Sequence, residues 1–329
     1  MKAFSYYNAA DVKDAVAVLG DSGSDSRALA GGTDLIGEIK NRYISPDRLV
    51  NLKSIKGLDR IKYSRSQGLT LGPLATLAEV AGHEQVRVRY PALAEAAESV
   101  GSPQLRNVGT IGGNICQRPR CWYYRGEEYP CLRKGGSHCY AVSGRNKYHC
   151  IIDGGPCFIV HPSDTAPALM ALGARVAITS ARGEREVGLD EFFVLPSSDP
   201  TRENILGPGE IVTRISVPPP GEGQRSCYLK FKERESRDFA LVGAAVVLEL
   251  QGRTCRRASV VLAGVAPVPH RSTAAEKILS GQAIALAVVE KAAEAAVAGA
   301  EPMEENGYKV QLTKTILKRA VLRAAGVEV

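Results

Sequence analysis

No stretch of this sequence stays apolar over the roughly 20 residues that a membrane helix needs, so a helical membrane span is excluded. The opening residues, Met1 to Asn8, lack the apolar core and cleavage site of a secretory leader. A cytoplasmic protein is therefore expected, or a periplasmic one exported with a partner that carries the signal. Aromatic residues are scarce at 6%, and Trp122 is the only tryptophan. Neither the dinucleotide pattern Gly-x-Gly-x-x-Gly nor the Walker phosphate loop occurs. No Ser/His/Asp or Cys/His constellation stands out either, so general acid–base or nucleophilic chemistry by the chain itself is not expected. Acidic balance is also missing, since the net charge is +7. That excess is local: Arg118, Arg120, Arg125, Arg133, Lys134, Arg145 and Lys147 stand between Gln117 and Cys150 against only Glu127 and Glu128. A nucleic-acid binder carries its cations along a face or helix; here they surround thiols, so no nucleic-acid partner is expected.

The thiols are the most concentrated feature. Six of the eight cysteines, Cys116, Cys121, Cys131, Cys139, Cys150 and Cys157, fall in one window, leaving only Cys227 and Cys255 outside. Without a leader, reduced thiols or metal ligands are favoured over disulfides. Neighbouring cations stabilise thiolates and any anionic cluster they hold. Iron–sulfur, zinc and disulfide readings all stay open at this point. Two glycine-rich turns lie upstream. The first, Gly31-Gly32-Thr33-Asp34, follows the apolar run Arg27 to Ala30 and precedes a helical pattern from Leu35 to Lys40. Unpaired N–H groups at such a strand-to-helix turn form a nest for phosphate. The second, Gly109 to Asn114, abuts the cysteine window.

The length, 329 residues, suits two or three domains. Helices are expected at 9–19 (capped by Asn8), 91–100, 165–172, 273–279, 283–298 and 308–325, and strands at 48–52, 69–72, 175–179, 185–187, 211–217, 226–232, 240–250 and 257–262. Thr76 to Glu79 spells a capping box. Pro218 to Gly223 is the strongest break in the chain. Strands and then helices beyond it indicate a small α+β unit.

Taken in this order, Ala30-Gly31-Gly32-Thr33-Asp34-Leu35 and Thr110-Ile111-Gly112-Gly113-Asn114 resemble the two FAD-binding loops of the medium, flavoprotein subunits of molybdenum hydroxylases. That family includes the flavin subunits of xanthine dehydrogenase, aldehyde oxidoreductases and aerobic carbon monoxide dehydrogenase. Tyr228-Leu229-Lys230, Asp238 to Val242 and Ala263 to Pro269 are similar to its C-terminal domain. The resemblance covers essentially the whole chain. It implies an α+β fold: a two-part FAD-binding domain of the vanillyl-alcohol-oxidase type over 1–55 and 56–217, with an insert at about 115–160, then a C-terminal flavoprotein domain over 224–329.

The same resemblance implies the site. FAD would be held by Leu29, Ala30, Gly31, Gly32, Thr33, Asp34, Leu35 and Ile36, and by Thr110, Gly113 and Asn114. Asp164 would take ribityl or ribose hydroxyls and Lys230 would reach the isoalloxazine edge; Asp164 in His-Pro-Ser-Asp also stands where a helix cap would. The insert resembles the subgroup whose flavin subunit carries an additional 4Fe–4S cluster, as in periplasmic aldehyde oxidoreductase. Cys121, Cys131, Cys139 and Cys157 occupy its ligand positions, with Cys150 competing for the fourth place and Cys116 read as a buried thiol. Spacings of ten, eight and eighteen residues between the four suit a loop wrapped around a large group better than a zinc knuckle. Arg118, Arg120, Arg125 and Arg133 are expected to form a cationic shell that raises the cluster's potential.

The implied partners are a molybdenum-cofactor large subunit and a small subunit with 2Fe–2S clusters, in a heterotrimer or its dimer. Electrons would pass from those clusters to FAD and an external acceptor. A stand-alone FAD reductase and a subunit of a 4-hydroxybenzoyl-CoA reductase-like complex are the alternatives.

Overall fold

The computed structural model describes residues 2–327. Its first layer is a three-stranded parallel sheet in the order Ser5–Asn8, Arg48–Asn51, Ser26–Leu29. The central strand buries Leu49 and Val50, and the helix Val12–Leu19 packs on it through Ala15 and Val16. That helix is capped by Asp11, whose side chain accepts from the Asp14 N–H, and not by Asn8. Asn8 ends the first strand, and its side chain accepts from Asn51 Nδ2 at 2.8 Å. The exposed Ser5–Asn8 strand carries no apolar signal; only its partner Arg48–Asn51 makes it a strand.

The second layer is a five-stranded antiparallel sheet in the order Ile61–Ser64, Gly68–Leu71, Ile211–Val217, Arg175–Ser180, Gly183–Gly188. Leu69, Leu71, Val176, Ile178 and Ile215 bury one face under the helices Pro91–Glu98 and Thr165–Ala171. The capping box forms, with Thr76 and Glu79 bonded reciprocally. A third, four-stranded sheet, His270–Arg271, Thr254–Ala263, Val242–Gln251, Gln224–Phe231, is covered by Thr273–Leu279, Leu286–Ala295 and Tyr308–Ala325. A two-sheet first part followed by a smaller α+β unit is thus the architecture found.

The cysteine window is mostly irregular, with short turns of helix at Trp122–Arg125 and Leu132–Lys134. Its backbone polar groups are met by the C-terminal domain. Ile151 and Ile152 N–H both donate to Val265 O, and Asn306 Nδ2 donates to the carbonyls of His149 and Cys150. Lys309 Nζ donates to Tyr148 O at 3.1 Å and Gly264 O at 2.7 Å.

Lys309 is fully buried, and among the described residues it makes no ion pair with a carboxylate. Burial pushes its pKa down to about 7. A lysine depressed on folding binds fewer protons in the folded than in the unfolded chain between that value and the unfolded pKa of about 10.4, so stability rises with pH across the window. Denaturant titrations at pH 7 and pH 9.5 should show wild type gaining on the order of 2–3 kcal/mol relative to Lys309→Met. Parallel profiles would mean that the ammonium is not desolvated.

Candidate cofactor sites

Where the strand Ser26–Leu29 gives way to the helix Leu35–Lys40, the chain turns through Gly32 at φ +73°. Among the described residues, the main-chain N–H groups from Gly31 to Leu35 donate no hydrogen bond. They face a cleft of about 630 Å³ whose wall includes Ala30, Gly31, Gly32, Thr33, Asp34 and Leu35. The second glycine loop forms the facing wall. Thr110 caps the helix Ile111–Ile115 by accepting from the Gly113 N–H, and Thr110, Gly113 and Asn114 line the cleft. The two loops touch: a Cβ on Gly31 would lie 2.1 Å from Val108 O. Only glycine permits that approach. Asn114 Oδ1 accepts from Ser163 Oγ and Thr165 Oγ1, both at 2.6 Å, which aims its amide nitrogen elsewhere.

Asp34 lines this cleft, but its carboxylate is committed to the entrance of the cysteine window. It pairs with Arg120 and with Arg125 Nη2 at 2.8 Å, and it accepts from the Arg118 N–H at 2.7 Å. Burial alone would raise its pKa, yet the two guanidiniums hold it below the usual carboxylate range. Glu38, one turn on, is pushed up by burial and by Asp34, and accepts from Tyr124 OH at 2.8 Å.

Asp164 also reaches the cleft wall, whereas its partner Lys230 does not. The two form an ion pair at 2.7 Å with side chains 4% and 3% exposed, and Tyr228 OH donates to the other Asp164 oxygen. Asp164 does not cap the following helix; Ser163 Oγ accepts from Ala166 N instead. Lys230 has three N–H bonds, and all are taken, by Asp164, Ser99 O and Asp238 O. In this arrangement Lys230 is fully engaged within the protein, beside the cleft wall that Asp164 reaches. Leu29 and Ile36 likewise stand behind the cleft, packed with Ile39 and Leu49.

Four thiols line a separate small pocket. Cys121, Cys131, Cys139 and Cys157 line it together with Tyr123, Tyr140, Arg133 and His149. Cys116 and Cys150 do not. Cys121 Sγ lies 3.2 Å from His149 Nε2, and burial pushes that imidazole down to about 4, so it is neutral. Cys157 is the one thiol moved downward, to about 6, by the Cys139 hydrogen bond and by the Arg133 charge; burial pushes Cys121 up to about 11. Among the described residues no three His, Cys, Asp or Glu side chains are drawn together as a group for a metal ion. A third cavity, of about 330 Å³, shares Cys121 and His149 with the thiol pocket and Arg120, Asp238 and Phe239 with the cleft.

Comparison with known proteins shows the family. The family described as "FAD binding domain in molybdopterin dehydrogenase" matches residues 2–220, and "CO dehydrogenase flavoprotein C-terminal domain" matches residues 226–324. This chain is a molybdenum-hydroxylase flavin subunit. Like others of that family, this flavin subunit is an oxidoreductase component that binds FAD. It is 34% identical over 327 residues to the aldehyde oxidoreductase FAD-binding subunit PaoB of Escherichia coli (strain K12), covering 98% of this chain and 99% of that one. It is 30% identical to the carbon monoxide dehydrogenase medium chain of Hydrogenophaga pseudoflava, covering 97% and 96%. The solved carbon monoxide dehydrogenase of that organism superposes with a TM-score of 0.78 over 98% of this chain and 97% of that one, at 30% identity.

FAD fits the flavin subunit's cleft on two local grounds: the unpaired N–H row from Gly31 to Leu35, and a loop–loop contact at Gly31 that leaves no room for a side chain. Ser163 and Thr165, which bond to Asn114, were not expected from sequence, although Ser163 sits in the His-Pro-Ser-Asp run and Thr165 opens the helix that follows it. Tyr228, His149 and Glu203 were not expected as site residues either. Glu203 has no local signal, because its partner Arg133 is 70 residues away.

Proposed function

We propose that this flavin subunit serves an aldehyde-oxidising complex and holds a 4Fe–4S cluster on Cys121, Cys131, Cys139 and Cys157 beside its FAD. The substrate would be oxidised on a molybdenum-cofactor large subunit. Electrons would arrive here from 2Fe–2S centres of a small subunit and leave to an external acceptor. The observation that carries the reading is the convergence of these four thiols, out of six in the window, on one pocket that adjoins the FAD cleft through a shared cavity. Four thiolates are what such a cluster requires. A mononuclear zinc site draws its thiolates to within about 2.3 Å of one ion, whereas cluster ligands stand at the corners of a larger object. The 34% identity to the aldehyde oxidoreductase subunit supports the choice of substrate class.

Bound flavin supplies the exchange between one- and two-electron transfer. The chain's part would be to hold it: Gly31 to Leu35 on the pyrophosphate, Thr110, Gly113 and Asn114 near the pyrophosphate and flavin side, and Asp164 on ribityl or ribose hydroxyls. Lys230 would act through Asp164, with which it forms a buried ion pair.

Anaerobically purified protein should contain about four iron and four sulfide per chain with broad visible absorption beyond that of flavin. Serine at Cys121, Cys131, Cys139 or Cys157 should remove most of that iron; Cys116→Ser and Cys150→Ser should keep it. Flavin without iron would refute the cluster, and stoichiometric zinc would replace it with a structural site. Loss of iron in Cys150→Ser but not in Cys157→Ser would reassign the fourth ligand.

A further inference from the structure

Of the four arginines that cluster in sequence around Cys121, three are spent at the flavin cleft. Arg120 and Arg125 pair with Asp34, and Arg118 donates its main-chain N–H to the same carboxylate. Only Arg133 lines the thiol pocket. It follows Cys131 on a single turn of 3-10 helix, and its side chain is 1% exposed. Nη1 donates to Glu203 Oε1 at 2.5 Å. Its buried Nε has no partner among the described residues, while the guanidinium also lies within hydrogen-bonding reach of the Cys157 thiol. An orphaned charged donor at this depth costs on the order of 1–3 kcal/mol or more unless something accepts from it.

Glu203 is buried too, in the segment between the strands Gly183–Gly188 and Ile211–Val217, and its other oxygen lies 3.0 Å from Arg118 Nε. One carboxylate therefore faces two guanidiniums, and this group carries a net positive charge on the wall of a pocket lined by four thiols. Arg118, at the far end, lines the FAD cleft. Arg133–Glu203–Arg118 is a continuous ionic link between the two pockets.

We propose that Arg133, held in place by Glu203, is the residue that sets the reduction potential of the group bound by the four thiols, by bringing its guanidinium charge and hydrogen-bond donors to the wall of their pocket. The proposal rests on the cluster reading above. Reduction adds an electron to a cluster that is already anionic with four thiolates, and a nearby cation and hydrogen-bond donor favour the more negative form. Arg133 thus raises the potential, and Glu203 partly offsets it while fixing the guanidinium. It is a positioning and tuning residue, not a catalytic one.

The test uses the complete protein, purified anaerobically, with iron and sulfide content measured beside a redox titration of the cluster followed by visible and low-temperature EPR spectra. Arg133→Gln should shift the cluster midpoint downward, and Arg133→Lys, which keeps the charge but not the fork, should restore part of it. Glu203→Gln still accepts from Arg133 but removes the offsetting charge, so it should shift the midpoint upward. Opposite shifts at retained iron content support the proposal, because a purely structural pair would lose cluster in both variants. Unchanged midpoints, or shifts in the same direction, overturn it while leaving the cluster reading intact. Wild-type protein without iron overturns both.

Discussion

Gly31→Ala is expected to strip FAD from the protein. The added Cβ would lie 2.1 Å from Val108 O, 2.9 Å from Val108 C and 3.1 Å from Gly109 Cα. These are main-chain atoms of the second flavin loop, so relief requires moving one loop away from the other. Overpacking of a fixed contact costs about 1–3 kcal/mol, and a shift at this loop is paid where the N–H row and the Thr110 cap must share one ligand. FAD affinity should fall by about 100-fold, equivalent to about 2.7 kcal/mol. Flavin content after gel filtration and titration of the deflavinated protein with FAD measure it. Gly37→Ala is the control, since a Cβ there meets nothing within 4 Å. If Gly31→Ala retains flavin as well as Gly37→Ala does, the loop contact is not what shapes the site.

Asp164→Asn and Lys230→Met should each destabilise the folded chain by about 3–5 kcal/mol, because each leaves a buried charge without its counter-ion. The pair joins the helix Thr165–Ala171 of the FAD domain to the strand Gln224–Phe231 of the C-terminal domain, and Tyr228 bonds to the same carboxylate. Combining the two substitutions removes both charges and should recover more than half of the loss. Urea titrations of flavin-free protein separate this from any effect on binding. Flavin affinity should distinguish the two positions: Asp164 lines the cleft and Lys230 does not. Asp164→Asn is therefore expected to weaken FAD more than Lys230→Met at equal stability loss. Single variants that cost less than about 1 kcal/mol would show that water reaches the pair.

Much of the site was readable before any fold was known, for a local reason. A glycine turn after an apolar strand, the Thr76 capping box and the proline opening of the helix Pro91–Glu98 are written into neighbouring residues, and those elements form as expected. The two glycine loops and the cysteine window likewise carried enough pattern to point to the family. The helix cap at Asp11 was misread because Asn8 is taken by a strand partner 43 residues away.

What the sequence pointed to by itself was FAD as a cofactor, with two glycine loops, a carboxylate and four of six clustered thiols as the candidate residues. Only the tertiary structure decided how charges are shared among them. Arginines adjacent in the chain diverge, Arg120 and Arg125 to Asp34 and Arg133 to Glu203; Lys230 is saturated by Asp164 and two carbonyls. The reason is physical. Backbone conformation is encoded over a few residues, whereas a buried charge takes whatever counter-ion the fold brings within about 4 Å, and here those partners lie 66 to 91 residues away.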